Sequence, residues 1–306
     1  MQKSTFKLDP YTEEFAENPY PIYATLRKDY PLYLHEEWNT WLFSRYEDVR
    51  RLVVDTRFGR TMDSVSTEEE LAEIRRDQNW DAMPNHSKYI KINMLESEGE
   101  LHQHLRKSVF NEFTPAKAAL MNDAIQRIVD KAFERISSRE TVDFIEDFAA
   151  AIPGFIIGQL LGVPEVDRPK LRRWSEDIVQ YYEPDRSVVS EEIAEKAVSE
   201  FAAYLIELID EYRKNPQDNL ISRLVHNEDA SLKLNERDLI SNCMFILAAG
   251  HGSTIDVVGT GMLALLTNPD EMAKVQSDPS LIKSAITEMF RFESPLPYFH
   301  RIALED

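Results

Sequence analysis

Apolar residues recur at helical spacing along most of the chain. Met121, Ala124, Ile125, Ile128, Val129, Ala132, Phe133 and Ile136 are three or four apart and lay one stripe along a predicted helix. A second stripe, Leu281, Ile282, Ala285, Ile286, Met289 and Phe290, predicts another. From Asn235 to about Thr267 the pattern changes. It is apolar nearly all round over 243–249 and again over 257–266, which places this helix in the middle of a protein. Helix starts are marked by Ser44 with Glu47 as a capping box, by Thr114 with Pro115, and by Asn235, Asn268-Pro269 and Asp278-Pro279. Strand signals are confined to residues 32–34 and 40–43, predicted to pair around HEEWN, and to 298–303, predicted to add a third strand. The pattern predicts a mainly α chain with a minor β-sheet, without internal repeat or linker.

Composition narrows this picture. With 306 residues, 43% of them hydrophobic, the chain has enough apolar surface for one large core, so a single domain over 1–306 is expected. The net charge of -19 is distributed in mixed clusters such as EEELAEIRRD (68–77), which read as solvated surface and argue against a nucleic-acid partner. The single cysteine, Cys243, excludes an intramolecular disulfide framework and a cysteine-based zinc cluster, and fits a reducing cytoplasm. The N-terminus has no apolar signal-peptide core. No segment has the roughly 20 apolar residues of a bilayer span. Residues 239–255 come closest, but they hold Ser241, Asn242, His251 and two glycines.

Three constellations carry chemistry. The first is in the apolar helix, which holds Gly250, Gly252, Gly259 and Gly261, each costing roughly 1 kcal/mol against alanine in a helix interior. Tight helix packing is one account of Gly259 and Gly261. It explains Gly250 and Gly252 less well, because they alternate with His251 and precede Ser253 and Thr254, whose hydroxyls can take a helical carbonyl and open a kink or bulge. A bulky flat ligand could lie against such a gap. The second is Glu288 and Arg291, three apart and so on one helix face, a spacing that alone usually marks an exposed pair. The third is His102 and Arg106, four apart, which can hold one carboxylate or, with His104 and Lys107, form a solvated basic face.

LAAGHGSTID (247–256) resembles the central helix of the cytochrome P450 family, in which Ala-Gly-x-(acid)-Thr lies over the haem and forms the oxygen-binding groove. Ala249 and Gly250 match, but Gly252 stands at the acid position and Ser253, followed by Thr254, at the threonine. The resemblance implies that Ser253 and Thr254 serve catalysis and that Ala249 and Gly250 adjoin haem. Water, Asp256 or His251 then replaces the missing acid, or the reaction departs from ordinary monooxygenation. EMFRFESPLPYFHRIALED (288–306) is similar to the family's Glu-x-x-Arg segment, which implies a buried structural pair in Glu288 and Arg291, a haem-propionate contact at Arg301, and a pocket lining of Leu296, Pro297, Tyr298 and Phe299. LHQHLRKSVFNEFTP (101–115) resembles the His-x-x-x-Arg helix, which assigns His102 and Arg106 to a propionate. Met94 and Leu95, with Ile178, Tyr181 and Tyr182, are further pocket candidates.

The matching segments run through nearly the whole chain in the family's order. They imply the P450 fold with its C-terminal part missing, because the Phe-x-x-Gly-x-x-x-Cys loop that ligates iron does not occur before Asp306. A core setting is expected for Cys243, so no metal ligand is expected within this chain and the haem thiolate is expected beyond Asp306. The implied function is a cytoplasmic haem-dependent monooxygenase, oxidising an apolar small molecule with dioxygen and electrons from a ferredoxin- or flavodoxin-type redox partner. The alternative is a haem-free relative that binds and activates a partner enzyme such as a glycosyltransferase.

Overall fold

The computed structural model describes residues 6–63, 65–182 and 187–305. They fall into two compact units, one formed by the described residues of 6–65 with 300–305 and the other by those of 66–299.

The smaller unit contains α1 (Glu13–Glu17), α2 (Tyr20–Asp29), the strands β1 (Leu32–His35) and β2 (Thr40–Phe43), α3 (Tyr46–Leu52), β3 (Phe58–Gly59) and β4 (Ile302–Ala303). β1 and β2 pair antiparallel around HEEWN, as predicted, with Leu32 opposite Phe43. Asn39 turns the chain between them at φ 46°, a left-handed conformation that asparagine tolerates better than most residues. The third strand goes elsewhere. β4 pairs with β3, Phe58 opposite Ala303, and not with the hairpin, so two separate two-stranded sheets form. The capping box expected at Ser44 is also absent. Arg45 is the N-cap of α3, without a side-chain bond, and the Ser44 hydroxyl donates instead to the Pro31 carbonyl at 3.4 Å.

The larger unit runs α4 (Glu68–Asp77), α5 (Pro84–Tyr89), α6 (Gly99–Phe110), α7 (Pro115–Leu120), α8 (Asn122–Ser137), α9 (Ala151–Leu161), α10 (Arg168–Val179), α11 (Val188–Lys214), α12 (Leu220–Val225), α13 (Glu236–Thr267), α14 (Pro269–Ser277) and α15 (Ile282–Phe292). Its core forms where α9, α10, α11 and the first half of α13 meet. Ala197, Val198, Phe201, Leu205, Leu208 and Ile209 of α11 follow the three-and-four spacing and are all buried there, with Trp174 stacked on Phe201 at 4.8 Å. α9 ends at Gly162 with φ 89°. A side chain at Gly162 would also strike Asn219, 2.3 Å from its Cβ position, so only glycine fits.

The predicted stripe of 121–136 lies in one helix, α8, separate from the helix that Thr114 and Pro115 start. α7 stops at Leu120 and Met121 caps α8, while Phe133 is 60% exposed and lies outside the buried face. Asn235 caps α13 as predicted, accepting from Asp238 N at 2.9 Å. The Asn268 side chain does not cap α14. It turns back to the Ala264 carbonyl at 2.8 Å. α13 is long and apolar enough to cross a membrane, by length and composition alone, and its buried residues are concentrated between Asp238 and Leu247 in the core of this unit.

Candidate functional site on α13

The four glycines of α13 separate into two kinds. A Cβ at Gly259 would meet Ile145 Cδ1 at 2.3 Å, and one at Gly261 would meet Met289 at 2.6 Å, so close packing accounts for both. Gly250 joins them, against expectation, with Ile157 Cδ1 at 3.1 Å from its Cβ position. Gly252 differs, since nothing lies within 4 Å of the corresponding point. Nor does the helix break here. It is α-helical without interruption from Glu236 to Thr267, and the hydroxyls of Ser253 and Thr254 donate to the carbonyls of Ala249 at 2.9 Å and Gly250 at 3.0 Å without opening a bulge.

Residues seven apart on a helix lie on nearly the same face, which groups Asn242, Ala249 and Asp256. α6 covers this stripe at Asn242, whose Nδ2 donates to the buried Leu105 carbonyl at 3.2 Å. Further along it is uncovered: Ala249 and Asp256 are exposed, and Gly252 and Ser253 are partly so. Asp256 makes no side-chain hydrogen bond or ion pair among the described residues, and partial desolvation raises its pKa above the ordinary 3.8. His251 faces the opposite way. It is fully buried, its Nε2 is 3.3 Å from where a Cβ on Gly154 would stand, and both ring nitrogens lack partners among the described residues. Burial depresses its pKa.

His102 and Arg106 sit one turn apart on α6, half-buried and exposed respectively, on either side of the Leu105 that Asn242 grips. Neither side chain has a hydrogen bond or ion pair among the described residues. An uncommitted guanidinium four residues from an uncommitted imidazole suits a carboxylate ligand. The open turn at Gly252 and the uncommitted guanidinium and imidazole on α6 are both what a flat, carboxylate-bearing macrocycle such as haem requires, so the chain's residues fit that cofactor.

Glu288 and Arg291 form the expected fork, with Arg291 Nε donating to Glu288 Oε2 at 2.7 Å and Nη2 to Oε1. The pair is not buried in this chain. Its side chains are 56% and 69% exposed, α15 has no buried residue, and the apolar Ile282, Ile286 and Phe290 are exposed as well. Arg301 falls in the smaller unit, immediately before β4, where Nη1 donates to the His300 carbonyl at 3.1 Å.

Of the pocket candidates, Met94 and Leu95 are half-buried at a turn organised by Asn93, whose Oδ1 accepts from Leu95 N at 2.7 Å. Leu296, Pro297, Tyr298 and Phe299 are exposed. Ile178 and Tyr181 belong to packed cores instead, Tyr181 accepting from Trp80 Nε1 at 2.8 Å, and Tyr182 is exposed beside it. A cavity of about 460 Å³ lies elsewhere, between residues 79–85 and the first turns of α11. Two of its acids are structurally engaged. Glu195 accepts from the backbone of Asn85 at 3.0 Å and of His86 at 2.8 Å, capping α5, and Glu191 accepts from Asn79 at 2.7 Å.

Sequence reasoning missed the two polar residues that fix α13. Besides Asn242, Ser241 donates to the carbonyls of Tyr89 and Ile92, 2.5 Å in the second case. Their signal was visible as adjacent polar residues in an otherwise apolar helix.

A family model for cytochrome P450 matches residues 40–306. The polyketide biosynthesis cytochrome P450 PksS of Bacillus subtilis (strain 168) is 29% identical, covering 100% of this chain and 74% of its own length. Cytochrome P450 monooxygenase PikC of Streptomyces venezuelae is 34% identical over 93% of this chain and 65% of its own. The solved structure of P450BioI in complex with hexadec-9Z-enoic acid ligated acyl carrier protein superposes with a TM-score of 0.85 at 28% identity, over 96% of this chain and 73% of that one. Fold, motifs and relatives agree: this chain belongs to the cytochrome P450 family, a family of haem monooxygenases.

Proposed function

We propose that this protein is a P450 monooxygenase that binds haem against the uncovered stripe of α13 and oxidises an apolar small molecule. The single observation that carries this reading is the open turn at Gly252, where a helix gives up a side chain although no neighbour occupies the space. Haem, when bound, supplies the iron chemistry by which dioxygen and two electrons insert one oxygen atom into substrate and release the other as water. The electrons come from a ferredoxin- or flavodoxin-type partner, and the protein works in the cytoplasm.

The chain's own residues bind and orient. Arg106 and His102 hold a propionate. Ala249 presents a low surface to the ring, with Gly250 packed behind it against Ile157, and Ser253 and Thr254, with their hydrogens committed to helix carbonyls, offer lone pairs that accept from a water. Met94, Leu95 and 296–299 are the pocket lining. The thiolate ligand is assigned to a segment outside these residues, because Cys243 is fully buried in α13 and burial pushes its thiol up to about 12.

The test is haem titration of the purified protein followed by absorbance. Saturable binding is expected, weakened about tenfold in Arg106→Ala by loss of a charge-assisted hydrogen bond. Failure to bind haem at all would overturn the proposal in favour of the haem-free, partner-activating reading.

A further inference from the structure

The uncovered stripe of α13 lacks an obvious proton source. Gly252 has no side chain, the Ser253 and Thr254 hydroxyls have given their hydrogens to Ala249 and Gly250, and His251 is turned into the core against α9. One titratable group remains on that face, Asp256, seven residues after Ala249 and four after Gly252. Helical side chains lean toward the N-terminus and cover the turn before their own Cα. The Asp256 side chain therefore leans toward the turn of Gly252 and Ser253, and no atom stands within 4 Å of the place where a side chain at 252 would begin. It is uncommitted. The Thr260 hydroxyl donates to the Asp256 backbone carbonyl at 2.8 Å, and no cation pairs with the carboxylate among the described residues.

We propose that Asp256 is the proton-relay carboxylate of this site, standing one helical turn beyond the position that Gly252 leaves empty. The inference rests on the monooxygenase reading given above. In each delivery the Asp256 O–H bond breaks and its proton passes to a water held by the Ser253 oxygen, which releases one of its own protons toward the reacting dioxygen. The carboxylate then takes a proton from bulk solvent, which its exposure permits. Two such deliveries balance the two electrons from the redox partner: substrate C–H, dioxygen, two electrons and two protons give C–OH and water. Desolvation, which favours the neutral acid, supports the role.

The experiment compares haem-loaded parent, Asp256→Asn, Asp256→Glu and the double variant Asp256→Asn with Gly252→Glu, each in protein that carries the thiolate segment assigned above. A surrogate ferredoxin and its reductase supply electrons, and peroxide released per dioxygen consumed is measured in light and heavy water. Asp256→Asn is expected to raise the peroxide fraction about tenfold at unchanged haem content, with an altered solvent isotope effect. Asp256→Glu should stay near the parent, and the glutamate at 252, which meets nothing within 4 Å of its Cβ, should restore most of the loss. A second readout needs no turnover. Carbodiimide labelling of Asp256 is expected to fall several-fold when haem is loaded, while labelling of the exposed Asp270 on α14 does not change. An Asp256→Asn variant with the parent's peroxide fraction and isotope effect, or labelling of Asp256 indifferent to haem, overturns the relay. A protein that takes up no haem overturns the function proposed above instead.

Discussion

His251 is buried without a hydrogen-bond partner among the described residues, and its burial makes the charged form costly. Its native pKa lies below the ordinary 6.5, with Glu176 opposing the shift and Arg172 adding to it. As pH falls, the unfolded chain therefore takes up the proton first. The native state holds its full stability above about pH 6.5 and loses it as pH drops further. Urea unfolding at about pH 7.5 and about pH 5 should show a smaller acid loss in His251→Leu than in the parent. Equal losses in the two proteins would show that His251 is not the responsible group. Glu288 presents the opposite case. Its carboxyl is held below the ordinary range by the Arg291 guanidinium, but both side chains reach solvent. Glu288→Ala should leave the unfolding midpoint of this chain almost unchanged and insensitive to salt.

At the scale of elements, the contrast among the α13 glycines is measurable. Gly252→Ala meets no neighbour and should stabilise by about 1 kcal/mol, the helix-propensity difference. Gly261→Ala drives a methyl into Met289 and should destabilise by about 1 to 3 kcal/mol. Thermal unfolding of the two variants checks both signs, and destabilisation by Gly252→Ala would mean that its turn is packed after all. The same helix shows what the sequence could and could not disclose. Asn235 was legible as its cap because capping is settled within a few residues. The shared faces of His102 with Arg106 and of Glu288 with Arg291 were legible because helical spacing alone decides them. Burial was not, since it depends on which distant segment arrives: Ile157 explains Gly250, and Glu288 stays exposed among the described residues. The pairing of Ile302–Ala303 with Phe58–Gly59 was hidden for the same reason, as local alternation carries no information about a partner far along the chain.

Across the whole molecule, apolar side chains at helix surfaces meet a strongly acidic charge. Leu263 and Leu266 on α13 are 61% and 64% exposed, and Ile286 and Phe290, one turn apart on α15, are 47% and 52% exposed. Rows of this kind favour association, while a net charge of -19 opposes it over roughly the 8 Å Debye length of physiological salt. Sedimentation velocity of this chain should show concentration-dependent self-association that grows with added salt. Replacing Ile286 and Phe290 with lysine should suppress it. Association unaffected by those two substitutions would exclude this face.

The carboxylate of Glu195 ties two segments that lie more than a hundred residues apart. By accepting from the first amides of α5, it makes that short helix dependent on α11 for its cap. Movement of α11 away from α5 leaves those amides open to water. Deuterium uptake at Asn85 and His86 therefore becomes a local clock for motion of a helix elsewhere in the chain, readable without any ligand and slowed by whatever holds α11 in place.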